Sequence, residues 1–220
     1  MKFTRDDIRK AMLLYAVTDQ MWLKEGEKLA DVVESVLKNG ATFLQIREKD
    51  LAEDAFEAEA ARLKALCAQH GVPFVVNDSV EIAMQCDADG VHVGQSDIKG
   101  RDIRAIIGAD KILGISAGTV AEAIAAEKAG ADYIGVGAVF PTGTKKNATP
   151  MTMGLLQEIV SSVSIPVVAI GGINAENILQ LRGSGVDGVA VVSAIFAADD
   201  PGKATAALRK LAEETVAAHG

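Results

Sequence analysis

The sequence predicts an α/β protein, a single (β/α)8 (TIM) barrel domain over residues 1–220 with a short extra N-terminal helix. Apolar runs typical of buried strands begin near positions 13, 43, 74, 90, 111, 133, 166 and 188, and each opens a strand-then-helix unit. The runs follow one another too closely for a linker or a second domain. A closed parallel barrel requires eight such units.

The composition agrees with strands that are buried between helices. Hydrophobic residues make up 49% of the chain and aromatic residues only 4%, which suits a parallel sheet better than a sandwich. An open doubly wound sheet is the alternative fold. It is disfavoured because the dinucleotide-binding GxGxxG pattern is absent after the first strand, where the sequence reads TDQMW.

The first elements follow from helix caps and hydrophobic periodicity. Thr4 and Asp6 can cap a leading helix that ends near Ala11, and Asn39-Gly40 and Gly71 are typical helix stops. The predicted order is strand 13–19, helix 27–38, strand 43–48, helix 51–70, strand 73–78, helix 80–86 and strand 90–94.

The second half continues the alternation. Its predicted order is helix 103–107, strand 111–116, helix 119–130, strand 133–137, helix 153–163, strand 166–172, helix 175–181, strand 188–193 and helix 202–218. Thr119 and Glu122 have the spacing of a capping box. Phrases such as CDADGVHVG, AGADYIGVG and SGVDGVAVV repeat an acidic pattern before successive strands, which we interpret as structural turns at the amino ends of the strands.

The net charge and the cysteine content limit which kinds of partner and which compartment the sequence favours. A net charge of -8 disfavours nucleic-acid binding, although a local basic pocket for a small anion remains compatible. No apolar run reaches the roughly 18 residues that span a bilayer, and the N-terminus MKFTRDDIRK is too charged for a secretory signal. Cys67 and Cys86 lack CxxC spacing and are interpreted as reduced. We therefore expect a cytoplasmic protein that binds small molecules, with a homo-oligomer left open.

The candidate functional residues lie where the predicted strands end, because (β/α)8 barrels carry their active sites at that face. Gln45, Arg47 and Lys49 alternate along the end of strand two and therefore point the same way, so their donors can bind a diphosphate if that face is the barrel mouth. The structural alternative is a salt bridge from this group to Glu48 or Asp50.

Strands three and four end in acidic residues. Asn77, Asp78 and Asp97 supply two carboxylates and an amide oxygen, a ligand set suited to Mg²⁺ together with substrate phosphates. Alternatively, Asp78 caps the following helix and Asp97 closes a turn. His92 lies between apolar neighbours, and we favour a hydrogen-bonded core histidine over a catalytic base.

The remaining strands indicate a second anion site. Strand six ends in a loop whose hydroxyl and ammonium groups belong to Thr142, Thr144, Lys145 and Lys146. Gly171-Gly172 and Val192-Ser193 follow strands seven and eight, where such barrels often bind phosphate through backbone N–H groups. A diphosphate on one side and a phosphate on the other predict a two-substrate site, with Lys145 between them and Lys146 a solvated neighbour.

Eight ordered motifs together resemble the thiamine-phosphate synthase family, from about Tyr15 to Pro201. They are YAVTD, QIREKD, VVND, GVHVGQSD, GIS, GVGAVFPTGTKK, VVAIGGIN and VAVVSAIFAADDP. The resemblance implies a transferase of thiamine biosynthesis, a (β/α)8 enzyme that joins a hydroxymethylpyrimidine diphosphate to a thiazole phosphate and releases pyrophosphate. Its chemistry would stabilise the leaving group and need no protein nucleophile.

The resemblance also implies residue roles. The residues implied to bind the pyrimidine diphosphate are Gln45, Ile46, Arg47, Glu48, Lys49, Asn77, Ser116 and Lys145, of which Arg47, Lys49 and Lys145 would be catalytic. The residues implied to bind the thiazole phosphate are Thr142, Gly143, Thr144, Gly172, Val192 and Ser193, and those implied to hold Mg²⁺ are Asp78 and Asp97.

Three positions depart from the family pattern. Many relatives carry Arg where this chain has Gln20 and Ser79, and often His where it has Gly118. A thiazole tautomerase of similar fold relies on that histidine, so its absence favours the synthase. A non-catalytic thiazole-phosphate-binding barrel is the other alternative, and it would have no use for Asp78, Asp97, Arg47 and Lys49 together.

Overall fold

The computed structural model of the protein describes residues 3–48, 51–142 and 150–217. Eight parallel strands close into a barrel in chain order, and the last strand pairs with the first. The strands are β1 Leu14–Val17, β2 Phe43–Ile46, β3 Phe74–Asn77, β4 Gly90–Val93, β5 Ile112–Ala117, β6 Tyr133–Val136, β7 Val167–Ile170 and β8 Gly188–Val191. The predicted (β/α)8 barrel is confirmed, and the open doubly wound sheet is excluded.

Helices surround the barrel, and α1 precedes the first strand as predicted. They are α1 Arg5–Ala11, α2 Leu29–Lys38, α3 Glu53–His70, α4 Val80–Gln85, α5 Ile103–Ile107, α6 Val120–Lys128, α7 Met153–Ser161, α8 Ser193–Phe196 and α9 Pro201–Ala217, with 3-10 turns at Gln20–Trp22 and Ile178–Leu181. Neither the Gln20–Trp22 turn nor α8 was expected. Across the described ranges, no helix has the length and apolarity needed to span a membrane.

The helix predicted over residues 175–181 is wrong in length and type. The structure has only the 3-10 turn that begins at Ile178. Asn174 accepts a hydrogen bond from the Glu176 N–H at 2.9 Å, and Asn177 accepts one from the Asn174 N–H at 2.9 Å. These side-chain bonds compete with helical backbone bonds and delay the start of regular structure.

The caps agree with the sequence in part. Thr4 caps α1, but Asp7 rather than Asp6 completes the reciprocal pair, because the Thr4 N–H donates to Asp7 Oδ2 at 2.8 Å. Thr119 caps α6 as predicted. Glu122 does not return to the Thr119 N–H, however, since it accepts from the Gly118 N–H at 2.7 Å. This difference places a carboxylate beside the end of β5.

The aspartates of the repeated acidic pattern bind the amino ends of neighbouring strands. Asp89, Asp132 and Asp187 each accept a hydrogen bond from the backbone of the neighbouring strand, at 3.0, 2.8 and 2.8 Å. Each carboxylate also forms an ion pair with a basic side chain, from Lys64, Arg104 and Arg9 respectively. The structural interpretation of the repeat is therefore confirmed.

The barrel interior contains a small aromatic cluster. The ring centroids of Tyr15 and Phe43 lie 4.4 Å apart, and those of Phe43 and Tyr133 lie 5.5 Å apart. Gly114 makes room for it, because a Cβ at that position would come within 2.2 Å of the Tyr133 ring. This cluster forms the floor on which the functional cavity rests.

Candidate active site

A cavity of about 630 Å³ opens at the carboxyl ends of the strands, with lining residues from all eight strands or the segments that follow them. The predicted site residues that line it are Gln45, Arg47, Asn77, Asp78, Asp97, Ser116, Thr142, Gly172, Val192 and Ser193. Residues predicted for two different substrates therefore share one cavity.

The structure does not bring every predicted residue to this cavity. Ile46 is fully buried in the layer between barrel and helices, and Glu48 accepts a hydrogen bond from Thr18 Oγ1 at 3.1 Å outside the cavity lining. The strand alternation explains this, because Gln45 and Arg47 take the cavity face and leave the other face to their neighbours. The predicted residues Lys49, Gly143, Thr144 and Lys145 lie outside the described residues.

Arg47 stands at the rim of the cavity and is held there by β1. Its Nη1 lies 3.5 Å from Asp19 Oδ2, and both side chains are largely buried. Its backbone N–H donates to Thr18 Oγ1 at 3.0 Å. The alternative ion pair with Glu48 is not formed among the described residues, where Arg47 pairs with Asp19. The guanidinium thus has an anchor that leaves its other donors available.

An acidic pair lies next to Arg47. Asp78 follows β3 with a φ of 62°, and its backbone N–H donates to the His92 carbonyl at 2.8 Å. Burial raises the pKa of the Asp78 carboxyl, and the charge and hydrogen bond of Asp97 raise it further. Two carboxyl groups therefore share a site in which they disfavour each other's ionised form.

Of the two structural alternatives for the acidic pair, the one for Asp78 is wrong and the one for Asp97 is confirmed. Ser79, not Asp78, caps α4, because its Oγ accepts from the Ile82 N–H at 3.2 Å. Asp97 does close a turn, as its Oδ2 accepts from the Gly94 N–H at 2.8 Å. Within residues 3–48, 51–142 and 150–217, no group of three or more His, Cys, Asp or Glu could hold a metal ion. A cation here would need additional oxygen ligands.

His92 has the hydrogen bonds that the sequence predicted for a core histidine. Nδ1 lies 2.9 Å from the Tyr133 hydroxyl, and Nε2 lies 3.0 Å from Ser116 Oγ. Burial lowers the pKa of His92 to about 4, although the charge of Asp97 opposes this shift. The imidazole is therefore neutral at pH 7 and its ring lies in the cavity wall.

The opposite rim is built from backbone. Gly171 and Gly172 have φ values of 103° and 69°, which only glycine adopts easily. A Cβ on Gly172 would lie 2.3 Å from the Pro141 carbonyl oxygen, and one on Gly171 would lie 2.6 Å from Ala138 Cβ. The turn after β7 therefore packs directly on the segment after β6 and lets a ligand approach its backbone.

The cavity also includes residues that the sequence reasoning missed. Tyr15 lies within the first apolar strand, and Gln95 donates from Nε2 to the Ser116 carbonyl at 2.6 Å. Glu122 lines the cavity through its bond to Gly118. Tyr15 lies two residues before Val17 in the same strand, so strand alternation could have identified it. The hydrogen bond from the Gly118 N–H to Glu122 depends on where α6 lies, which the sequence does not give.

A closed barrel with a polar cavity at the carboxyl ends of its strands, cationic and acidic on one side and glycine-rich on the other, defines a (β/α)8 enzyme site for anionic small molecules. The family model described as thiamine monophosphate synthase matches residues 14–195. The chain therefore belongs to the thiamine monophosphate synthase family, a family of transferases, as its motifs predicted.

Individual relatives agree with the family model. The chain is 48% identical over 201 residues to the thiamine-phosphate synthase of Clostridium botulinum strain Eklund 17B, covering 91% of this chain and 92% of that protein. It is 47% identical to the enzyme of the same name from Clostridium beijerinckii, covering 92% and 95%. The solved thiamine phosphate pyrophosphorylase from Pyrococcus furiosus has a TM-score of 0.86 and 39% identity, covering 95% and 99%.

Proposed function

We propose that the protein is a thiamine-phosphate synthase. It condenses 4-amino-2-methyl-5-hydroxymethylpyrimidine diphosphate with 4-methyl-5-(2-phosphoethyl)thiazole to give thiamine phosphate and pyrophosphate. The bond from the pyrimidine methylene to the diphosphate oxygen breaks, and the thiazole nitrogen forms the new bond to that carbon. The observation that carries the proposal is the single cavity that holds Arg47 and the acidic pair on one side and the Gly171-Gly172 turn on the other.

The pyrimidine diphosphate occupies the side of the cavity formed by β2 to β5. Arg47 is anchored by Asp19 and offers a cationic guanidinium to the diphosphate. Gln45, Asn77 and Ser116 present neutral hydrogen-bonding groups on the same side. Stabilisation of negative charge on the departing pyrophosphate is the main task of this side, because the reaction needs no protein nucleophile. Lys49 and Lys145 have the same predicted task on sequence grounds alone.

Asp78 and Asp97 fit a magnesium ion. Their oxygens are the hard ligands that Mg²⁺ prefers, and a cation would relieve the repulsion that raises the pKa of Asp78. Mg²⁺ usually binds one or two protein carboxylates and completes its coordination shell with water and substrate phosphates, so a third acidic ligand is not required. When bound, Mg²⁺ supplies positive charge that stabilises the leaving pyrophosphate.

The thiazole phosphate occupies the side formed by β6 to β8. Gly172, Val192 and Ser193 border the cavity there and can approach a phosphate closely through backbone N–H groups. Thr142 adds a hydroxyl from the segment after β6. Gly143 and Thr144 have the same predicted role on sequence grounds alone. This division places the two reacting centres towards each other within one cavity.

Two other functions use parts of the same site. The thiazole tautomerase alternative needs a histidine at position 118, where this chain has a glycine whose N–H donates to Glu122. A non-catalytic thiazole-phosphate-binding barrel would not need the acidic pair beside Arg47. A cytoplasmic location belongs to the proposal, and the assembly into homo-oligomers is left open.

Pyrophosphate release tests the proposal directly. The purified protein is mixed with both substrates and Mg²⁺, and pyrophosphate and thiamine phosphate are measured over time. We expect stoichiometric formation of both products, and no sustained release when the thiazole phosphate is omitted. Thiazole isomerisation without pyrophosphate would favour the tautomerase, and binding of thiazole phosphate without any turnover would favour the non-catalytic barrel.

A further inference from the structure

A chain of hydrogen bonds crosses the barrel interior beneath the cavity. Gln45 Nε2 donates to the Tyr15 hydroxyl at 2.5 Å, and this hydroxyl lies 2.8 Å from that of Tyr133. Tyr133 continues to His92 Nδ1 at 2.9 Å, and His92 Nε2 lies 3.0 Å from Ser116 Oγ. Gln45 and Ser116, the two ends of the chain, both line the cavity. Groups on β2 and β5, at two ends of one side of the cavity wall, are therefore connected through the barrel interior.

These hydrogen bonds all run in one direction, which is set by the groups that can donate. The Gln45 amide nitrogen can only donate, so the Tyr15 oxygen accepts from it and the single Tyr15 hydrogen is directed to Tyr133. The Tyr133 hydrogen is then directed to His92 Nδ1. Burial raises the pKa of both phenols, so each keeps its proton. This order leaves His92 as the tautomer with hydrogen on Nε2, which donates to Ser116 Oγ.

The opposite direction has the opposite result at the cavity. If the Gln45 amide were turned, its oxygen would accept from Tyr15, and every bond in the chain would reverse. His92 would then carry its hydrogen on Nδ1, and the Ser116 hydrogen would be used on Nε2. In the direction assigned here, the Ser116 hydrogen remains available to the cavity. The His92 tautomer therefore reports whether Ser116 is a donor or an acceptor toward a ligand.

We propose that Tyr15, Tyr133 and His92 are positioning residues that transmit the Gln45 amide orientation across the barrel and keep the Ser116 hydroxyl a hydrogen-bond donor to the pyrimidine substrate. The identity of that substrate rests on the proposed function. None of the three side chains has to contact the reacting atoms to act in this way. Their role also explains why polar groups occupy an interior that neighbouring strands fill with apolar side chains.

The tautomer of His92 can be measured without any activity assay. The chain has three histidines, so ¹⁵N-labelled histidine gives few signals in a long-range ¹H–¹⁵N correlation spectrum, and His92→Gln identifies the relevant one. At pH 7.5 we expect the Nε2–H tautomer in the wild type. In Tyr133→Phe, which removes the hydrogen directed at Nδ1, we expect a mixture of both tautomers. A wild-type Nδ1–H tautomer would overturn the inference.

Kinetics of the same variants supply the second readout. For Tyr133→Phe we expect kcat/KM for the pyrimidine diphosphate to fall about tenfold, the usual loss for one hydrogen bond, with little change in KM for the thiazole phosphate. Phe43→Leu is the matched control, because Phe43 packs on both tyrosine rings but carries no hydrogen-bonding group. It should lower the Tm and leave the tautomer unchanged.

The two readouts separate this inference from the proposed function. A wild-type enzyme that turns over but shows the Nδ1–H tautomer contradicts the inference alone. A wild-type protein without pyrophosphate release contradicts the proposed function, while its tautomer still decides the direction of the hydrogen-bond chain. Wild-type tautomer and kinetics in Tyr133→Phe would also overturn the inference.

Discussion

The two sides of the cavity are built by different means. On the β2–β4 side, Arg47, Asp78 and Asp97 present ionisable side chains to the cavity, and Asp19 anchors Arg47 while the Gly94 N–H donates to Asp97. On the β6–β8 side, Gly171 and Gly172 expose backbone in turns where a side chain would collide with the neighbouring segment. The first side can respond to a change of charge or metal. The second side depends mainly on shape.

Under the proposed function, this difference would let one barrel distinguish its two anionic substrates. A diphosphate that must leave with additional negative charge needs cations whose effect is largest at the moment of departure. A phosphate that only anchors a substrate needs a fixed cradle of N–H groups, and these cost no side-chain ordering. Substitutions on the two sides should therefore affect different kinetic constants.

The largest effect is expected from Asp78→Asn. Asparagine tolerates the φ of 62° at this position, so the substitution removes charge without straining the backbone. We expect kcat to fall on the order of a hundredfold and the Mg²⁺ concentration for half-maximal activity to rise, because one of two carboxylate ligands is lost. Pyrophosphate release at varied Mg²⁺ measures both quantities.

Asp199→Asn is the matched control for this prediction. Asp199 carries a fully exposed carboxylate outside the cavity lining, 4.0 Å from Lys24 Nζ, and the Lys24 ammonium donates to the Asp199 backbone carbonyl, which the substitution keeps. The control should retain wild-type turnover and Mg²⁺ dependence. Unchanged turnover in Asp78→Asn would refute the magnesium site and, with it, the functional contrast between the two sides.

A smaller and more selective effect is expected from Gly172→Ala. The new Cβ would meet the Pro141 carbonyl oxygen at 2.3 Å, so the turn after β7 must shift. We expect KM for the thiazole phosphate to rise about tenfold, equivalent to ~1.4 kcal/mol, while KM for the pyrimidine diphosphate changes little. Steady-state kinetics with each substrate varied in turn measures this split.

Gly183→Ala is the control that separates backbone strain from the steric collision at the β7 turn. Gly183 has a similar φ of 75°, but a Cβ there meets nothing within 4 Å. Both variants should lower the free energy of unfolding by roughly 1 kcal/mol through the left-handed backbone, and Gly172→Ala should lower it further because its Cβ collides with the Pro141 carbonyl oxygen. Only Gly172→Ala should change a KM. Equal kinetic effects in the two variants would show that the β7 turn does not contact the thiazole phosphate.

Strand alternation made much of this site predictable. It placed Gln45 and Arg47 on one face, and the position of Asp97 after a strand placed it at the same end of the barrel. The pairing of Arg47 with Asp19 was not predictable, because alternation fixes a face but not the partner at the end of the neighbouring strand. The contact between the Tyr15 and Tyr133 hydroxyls likewise requires closure of the sheet, since the residues are distant in sequence.

The smallest expected effect concerns the outer face of β2, directly behind the charged side. Burial raises the pKa of Glu48 from 4.5 to about 7, and the charges of Asp19 and Glu59 add to this, while the Thr18 hydrogen bond opposes it. The folded state therefore binds a proton that the unfolded chain releases near pH 4.5. The stability of the fold should fall as pH rises from about 4.5 to 7 and then level off.

Glu48→Gln should remove this pH dependence, because glutamine resembles the protonated carboxyl and still accepts from Thr18. We expect the variant to exceed the wild type by about 1 to 2 kcal/mol in the free energy of unfolding at pH 8, after allowance for partial exposure, and to match it near pH 4.5. Urea unfolding across this range measures the difference. Glu34→Gln, which alters a surface carboxylate paired with Lys38, is the control and should not flatten the pH profile. If the free energy of unfolding depended on pH in the same way in the wild type and in Glu48→Gln, the prediction would be wrong. Glu48 would then not titrate differently in the folded and unfolded states.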